Sequence, residues 1–423
     1  MVFAEPREGS GPLEVFWRWS LQSQSAPITL IGPVQLLRRA VLPSLALLTA
    51  LIVGAILIVL TDFEHLRRLG SDPAGALGGA LGEVVVGYGA ILSGAIGDPA
   101  RILAAVQGGN PADIAGAIRP LTETLLIATP FIFMSLALAI SFHAGLFNLG
   151  AAGQFQIGGL GAALVASLLA GLPPVVVLVA GLAAGALFGG GYGFIPGFLK
   201  ARTGAHEVIT TLMLNLIAPN VALFVANSGV FGQAHPLTAS VPLIFDLPTI
   251  RLDYGFVAAL LVAAAVSLLL FRTTLGFELR AAGFSRSAAH AAGIRPGGVT
   301  MVAMALSGGL IGLGSAFFLL GPAKGIGGTP TFDIGYAALA LALIGSLRPS
   351  GIVLVALLYG ALYTGANRMV IETGVPLALL GAIIGFALMF VAAPGLVRSI
   401  WRIRAPRGEI GDAAIAQEPG DGI

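Results

Sequence analysis

Apolar runs long enough to cross a bilayer recur along most of the chain, separated by short breaks rich in glycine, proline and charge. A membrane-crossing helix needs roughly 20 mainly apolar residues, within a range of about 17–25. That criterion predicts spans at 40–61, 117–141, 154–172, 174–197, 208–226, 254–271, 299–320, 335–347, 350–367 and 375–396. The eighth is short and fits a partly re-entrant segment. The expected fold is an all-α membrane protein, a polytopic bundle of about ten transmembrane helices. Residues 76–96 are apolar but carry Glu83 and many glycines, so 62–116 reads as a partly ordered extracytoplasmic insertion. The remaining divisions are an N-terminal segment 1–39, a transmembrane domain 40–397 and a polar, acidic tail 398–423 expected to be disordered.

Composition supports the membrane reading and removes other classes. The chain is 57% hydrophobic and only 10% charged, where a soluble domain has about a quarter charged residues. Its net charge of +2 is spread between apolar runs, which leaves no footprint for nucleic acid. Cysteine is absent, which excludes disulfides and thiolate chemistry. The first apolar run starts near Ala40, too late for a cleaved leader, so that span is expected to be retained.

Cytoplasmic flanks are enriched in Lys and Arg. With both termini inside, Arg7, Arg18, Arg38, Arg39, Lys200, Arg202, Arg272, Arg280, Arg286, Arg295, Arg348, Arg398, Arg402, Arg404 and Arg407 face inward. Arg67, Arg68, Arg101, Arg119, Arg251, Lys324 and Arg368 then face outward. The split expects both termini, and the loop 272–298, in the cytoplasm. One span more or fewer before residue 271 would invert part of it.

That loop is the longest arginine-bearing break among the later spans. Ser285 suits a helix N-cap, Arg286 to Ala292 a short helix, Gly293 the left-handed C-terminal position, and Pro296 stops continuation. An isolated helix needs about 12–15 residues to be even marginal in water, so this one must pack on another surface. Its alanines suit close approach to a partner.

Other breaks carry amides. Phe147, Asn148, Leu149, Gly150, Ala151, Ala152, Gly153 and Gln154 form either an ordinary turn between spans or a broken helix lining a path, since non-helical backbone at membrane depth needs protein or a cavity around it. Glu207 opens another run where the helix dipole favours it, with Thr210, Thr211 and Asn215 following. An amide inside a span finds an interhelical partner or a polar cavity. Phe147, Asn148, Gln154 and Asn215 are the expected path residues. GLFNLGAAGQ (145–154) is echoed by PTFDIGYAAL (330–339), on opposite sides in this topology, which fits an inverted repeat. Gly181, Gly185 and Gly189, among 60 glycines, suit close helix packing.

The negative findings narrow the chemistry. His65, His143, His206, His235 and His290 are scattered, so no metal site is expected. No carboxylate pair sits mid-span, which counts against a proton-coupled carrier. Ser307 and Ser315 lie in a span without a histidine base. Lys200 and Lys324 are the only lysines and neither ends a P-loop motif. These absences leave no catalytic or cofactor-binding constellation on the chain itself, so neither an enzymatic activity nor a cofactor of its own is expected. ATP-driven transport would need a separate subunit, and 272–298 is the candidate docking surface.

GLFNLGAAGQFQIGG, HEVITTLMLN, LRAAGFSRSAAHAAGI and ALSGGLIGLGSAF, in order between about Leu121 and Val397, resemble the permease subunits of bacterial ABC importers of the branched-chain amino acid, ribose and nucleoside superfamily. The phrasing is nearest the nucleoside and simple-sugar branch. The resemblance implies a permease pairing with a second, identical or homologous permease, two cytoplasmic ATPase subunits that hold ATP and magnesium, and an extracytoplasmic substrate-binding protein. It also implies a coupling loop at Arg280, Gly283, Ala288, Ala289 and Gly293, with Arg280 and Arg286 orienting it on the ATPase. Ala152 stands where the family commonly has glutamate, and His206 where it often has asparagine. Nucleosides are the expected cargo, with a simple sugar as the alternative and an ion-coupled carrier or a structural anchor behind both.

Overall fold

The computed structural model describes residues 33–61, 67–68, 70–228, 250, 252–323 and 333–402. The helices are α1 (Pro33–Thr61), α2 (Pro73–Ile96), α3 (Pro99–Gly108), α4 (Pro111–His143), α5 (Ala151–Leu168), α6 (Pro174–Thr203), α7 (Glu207–Asn227), α8 (Tyr254–Arg272), α9 (Thr274–Phe284), α10 (Arg286–Ala291), α11 (Pro296–Phe318), α12 (Asp333–Ile344), α13 (Pro349–Thr373), α14 (Leu377–Ala392) and α15 (Pro394–Ile400). Among the described residues nine helices are long and apolar enough to cross a membrane, and two shorter apolar helices lie at Ile334–Ile344 and Gly381–Val391. The all-α, multi-pass architecture is as expected. The expected tail beyond residue 402, with Lys324, His65, His235 and the start of the second echo block, lies outside the described residues.

The 62–116 segment holds more helix than a partly ordered insertion would. Within 62–116, read as an extramembrane insertion, the chain forms α2, a 24-residue helix with the length and hydropathy of a span. Its glycines weaken a free helix but suit a packed one. At Gly94 an added methyl group would lie 2.9 Å from Gly365 Cα, and at Gly87 3.2 Å from Met369 Sδ, so α13 fills the space a side chain would occupy. Such close approach replaces the hydrophobic drive that lipid cannot supply. If α2 crosses, Arg67 and Arg68 change sides and the segment ahead of α1 no longer shares a side with the C-terminus.

The chain divides into two compact units, one formed by residues 86–373 and the other by 33–85 with 374–402 among the described residues. In the second, α1 packs on α14 and α15, and Trp401 Nε1 donates to Thr49 Oγ1 at 2.9 Å. In the first, α4 is the central helix. Residues Ala128 to Phe142 are buried on every side, as a helix apolar all round must be, and α8, α11, α12 and α13 surround it. Ser135 Oγ ties α4 to α12 by donating to Ala338 O at 2.8 Å.

The tightest packing joins α5, α6 and α11. Gly185 and Gly189, picked out by their spacing, meet Gly312 and Gly308 across a glycine-on-glycine crossing, where methyl groups would overlap carbonyl oxygens of the facing helix. Gly158 of α5 approaches Gly312 from the third side, while a methyl group on Gly181 would lie 3.0 Å from Leu320 Cδ1. This seam sets the middle of α5 against the second half of α11.

Asp253, just outside α8, caps it by accepting from Gly255 N at 2.8 Å. The side chain is buried, and burial pushes its carboxyl up to about 6, against the smaller opposing effect of the Gly255 bond. A folded pKa above the unfolded value of about 3.9 favours the protonated form. The resulting stability is full below about pH 4 and is lost as pH rises through about 6. Asp253→Asn keeps a capping side chain and is expected to flatten the fall in thermal stability between those limits in detergent. An unchanged pH slope would exclude this carboxyl as the titrating group.

Candidate functional site

The α4 helix ends where Gly145, at φ +69, takes the left-handed position and Leu146 N reaches back to Ser141 O at 3.0 Å. The chain then runs without helix through 146–150 before α5 begins. Such a five-residue connection between two helices is compatible with both alternatives left open by the sequence, and its polar backbone is closed by side chains. Asn148 Oδ1 accepts from Gly150 N at 3.0 Å and from Gln154 Nε2 at 3.1 Å, and Asn148 Nδ2 donates to Gln154 Oε1 and to Ser307 Oγ, both at 2.9 Å. From α7, Asn215 Oδ1 accepts from Gly153 N at 2.8 Å and its Nδ2 donates to Leu149 O at 2.6 Å. Thr211 Oγ1 accepts from Leu149 N at 3.3 Å.

The structure therefore brings together Asn148, Gln154 and Asn215, three of the four expected path residues. They are 0%, 1% and 2% exposed, so in this conformation they face one another and the backbone and no open space. Phe147 stands apart, half-buried and edge-on to Phe142 with centroids 4.9 Å apart. Asn215 has the interhelical partner its position demanded. Ser307 was missed as a network member, because in sequence it is one small residue in a glycine-rich helix.

Glu207 begins α7 as expected and is paired with Lys200 of α6 across the turn at Gly204, which takes the left-handed conformation at φ +73. Thr211 Oγ1 donates to Glu207 O at 2.7 Å, joining this ion pair to the amide network.

The stretch 272–298 holds two helices rather than one. Thr273 is extended and caps α9, accepting from Gly276 N at 3.1 Å. The short helix has the predicted ends. Ser285 Oγ accepts from Ala288 N, Gly293 lies at φ 86, and Ile294 N reaches back to Ala289 O at 3.0 Å. Pro296 starts α11. Of the expected coupling residues, Gly283 is the deepest point of contact. A methyl group there would overlap His143 O and sit 2.8 Å from Gly145 N. The α9 helix thus rests on the turn at Gly145, where α4 ends and the non-helical segment begins.

The other members of that set divide between inside and outside. Ala289 is buried and Ala288 and Gly293 are exposed. Arg280 is half-buried, its Nε donating to Gly276 O at 3.3 Å and its guanidinium 5.5 Å from the Phe271 ring centroid. Arg286 is exposed and reaches Thr300 Oγ1 at 3.3 Å. Two residues were missed. Phe277 and Phe284, 60% and 69% exposed, lie seven apart on α9 and so on one face, while Gly276, Leu279 and Ala282 are buried on the other. That spacing is visible in sequence and is obscured only by treating 272–298 as a loop.

Contacts gather these connections at one end of the unit. Gly283 meets Gly145, Gly297 lies near Ala201, and His143 Nε2 is 3.3 Å from Leu347 O. Lys200, Arg202, Arg272, Arg280, Arg286, Arg295 and Arg348 are all on or beside these segments. The two echo blocks also meet, because the first turns of α5 and α12 touch where a methyl on Gly335 would lie 3.0 Å from Ala152 N. Among the described residues no cluster of three metal-ligating side chains occurs.

Residues 121–393 match the family described as the permease component of branched-chain amino acid transport systems. The chain belongs to this family. The match spans every element of the site, from α4 through the broken segment, the amide network and the α9–α10 pair. The permease is 36% identical to the guanosine ABC transporter permease protein NupP of Bacillus subtilis over 68% of this chain and 85% of that protein. It is 30% identical to the nucleoside ABC transporter permease protein NupB of Lactococcus lactis, covering 67% and 81%. A glucose ABC transporter permease protein of Haloferax volcanii, TsgB13, is 28% identical, covering 64% and 75%. It is a multi-pass membrane permease.

Proposed function

We propose that this chain is the membrane subunit of an ATP-binding cassette importer that moves nucleosides by alternating access. The contact of Gly283 on the His143–Gly145 hinge carries the reading, because it ties the surface helices α9 and α10 to the buried break in the transmembrane bundle. Cytoplasmic ATPase subunits dock on α9 and α10, a second permease subunit completes the assembly, and an extracytoplasmic binding protein delivers the cargo. The seven basic residues at that end support its assignment to the cytoplasm by the positive-inside rule. Arg280 and Arg286 hold the docking helices in shape, and Phe277 and Phe284 supply the apolar anchors that such interfaces use. Asn148, Gln154 and Asn215 hold the path shut in this conformation, and the ATPase cycle separates them. The nucleoside assignment rests on the guanosine and nucleoside permeases among the relatives. The glucose permease among them supports a sugar as the second reading.

Reconstitution with the ATPase and binding-protein subunits is expected to give ATP-dependent uptake of radiolabelled guanosine. Glucose uptake in its place would support the second reading, and uptake by the chain alone without nucleotide would overturn the ATP-driven one. In the same complex, Phe277→Ala with Phe284→Ala is expected to weaken ATPase association at least about tenfold, since anchors of this kind are each worth more than about 1 kcal/mol. Full ATPase retention on the purified double variant would refute the docking face.

A further inference from the structure

The amides of the network have partners, but Gln156, two residues beyond Gln154 on α5, does not. Its Oε1 is buried without a hydrogen-bond partner, alone in this among side-chain nitrogen and oxygen atoms of the described residues. Exchanging the amide's oxygen and nitrogen would put an NH₂ group in the same unpartnered position, so either assignment leaves a buried polar atom unsatisfied. Such an atom costs roughly 1–3 kcal/mol. A leucine there would cost nothing of that kind in an otherwise apolar helix, so the orphan calls for an explanation.

Helical geometry locates the side chain. Gln156 lies one turn beyond Ala152, whose backbone meets Gly335 of α12, and one turn before Leu160, which packs with Ile157 on Ala218 of α7. It therefore occupies the stripe of α5 between α12 and α7, while Gln154, about 200° away around the helix, points into the closed network. The residue as a whole is half-buried, while Oε1 itself is covered in this conformation. Here the first turns of α5 and α12, the two echo blocks, converge.

We propose that Gln156 is a specificity-determining contact of the transported nucleoside, its amide offering one acceptor and one donor to the edge of the base. The inference rests on the nucleoside reading above. An amide pairs naturally with the adjacent donor and acceptor of a nucleobase edge, and the base would satisfy the orphan that the folded chain leaves open.

Gln156→Leu is tested in the complete reconstituted complex with binding protein at saturation, measuring maximal uptake of guanosine, adenosine and uridine separately. One lost hydrogen bond of about 1–1.5 kcal/mol corresponds to roughly a tenfold loss for the favoured base. The expected result is an unequal loss that changes the ranking of the three, with thermal stability retained or raised because leucine removes the unpaired amide. Gln156→Glu keeps the size but removes the donor, and is expected to alter the ranking in a different way; it serves if the leucine variant is not produced. An equal fall for all three together with a lower melting temperature would assign Gln156 to structure and overturn the proposal. An unchanged ranking and rate in both variants would overturn it as well. If the unaltered complex takes up no nucleoside, the nucleoside reading fails and the proposal with it, a result distinct from either of those.

Discussion

Replacing Gly283 with valine is expected to abolish ATP-dependent uptake while leaving the protein in the membrane. The space beside Gly283 is filled by backbone, with His143 O in the path of any added carbon and Gly145 N and Ala144 C within 2.9 Å. Backbone cannot swing aside as a flexible side chain can, so α9 must lift from the hinge. Overpacking of this kind costs about 1–3 kcal/mol. The glycine crossing of α6 on α11 and the buried length of α4 lie elsewhere, so insertion and overall folding persist. Movement of α9 then no longer reaches residues 146–150. In proteoliposomes, uptake should fall to background while the ATPase subunits still hydrolyse ATP, with Gly283→Ala intermediate. Wild-type uptake by the valine variant would mean that force enters the bundle by another route.

The second large effect is expected at Asn215. Leucine there is near in size but can neither accept from Gly153 N nor donate to Leu149 O, the two bonds by which α7 closes the break. Both backbone groups would be left buried and unpaired at roughly 1–3 kcal/mol each, about 2–6 kcal/mol together. That is a large share of a typical folding stability of about 5–15 kcal/mol. Thermal inactivation of uptake should move to a much lower temperature, and Asn215→Asp, which keeps the acceptor for Gly153 N, should lose less. Equal stability of the leucine variant and the parent would show that Asn215 does not close the break.

Much of this fold is visible in the sequence because lipid imposes one dominant rule, that a crossing must be long, apolar and helical. Eight expected spans coincide with long helices on that basis. The other two, 335–347 and 375–396, fall on the shorter α12 and α14, and one further long helix, α2, was obscured by glycine. Gly87 and Gly94 weaken an isolated helix but let α13 approach, and whether a glycine is empty or filled by a neighbour is a tertiary property. The ends of α10 were legible because Ser285 and Gly293 act locally, through a cap and a left-handed turn. The amides of the break were legible as polar groups in apolar surroundings. Their closure onto one another was not, since Ser307 lies 159 residues from Asn148 in the chain. Phe277 and Phe284 escaped notice because 272–284 reads as loop, in which a spacing of seven marks no common face until the helix is known.

The proposed mechanism turns on one event, the separation of the buried amide network when the ATPase subunits work. The chain contains no cysteine, so Ser307→Cys introduces this subunit's single thiol at the fully buried partner of Asn148. In the reconstituted complex held in nanodiscs, a membrane-impermeant maleimide should label that thiol slowly without nucleotide and rapidly during turnover with ATP and loaded binding protein. Labelling at one rate under both conditions would contradict the account.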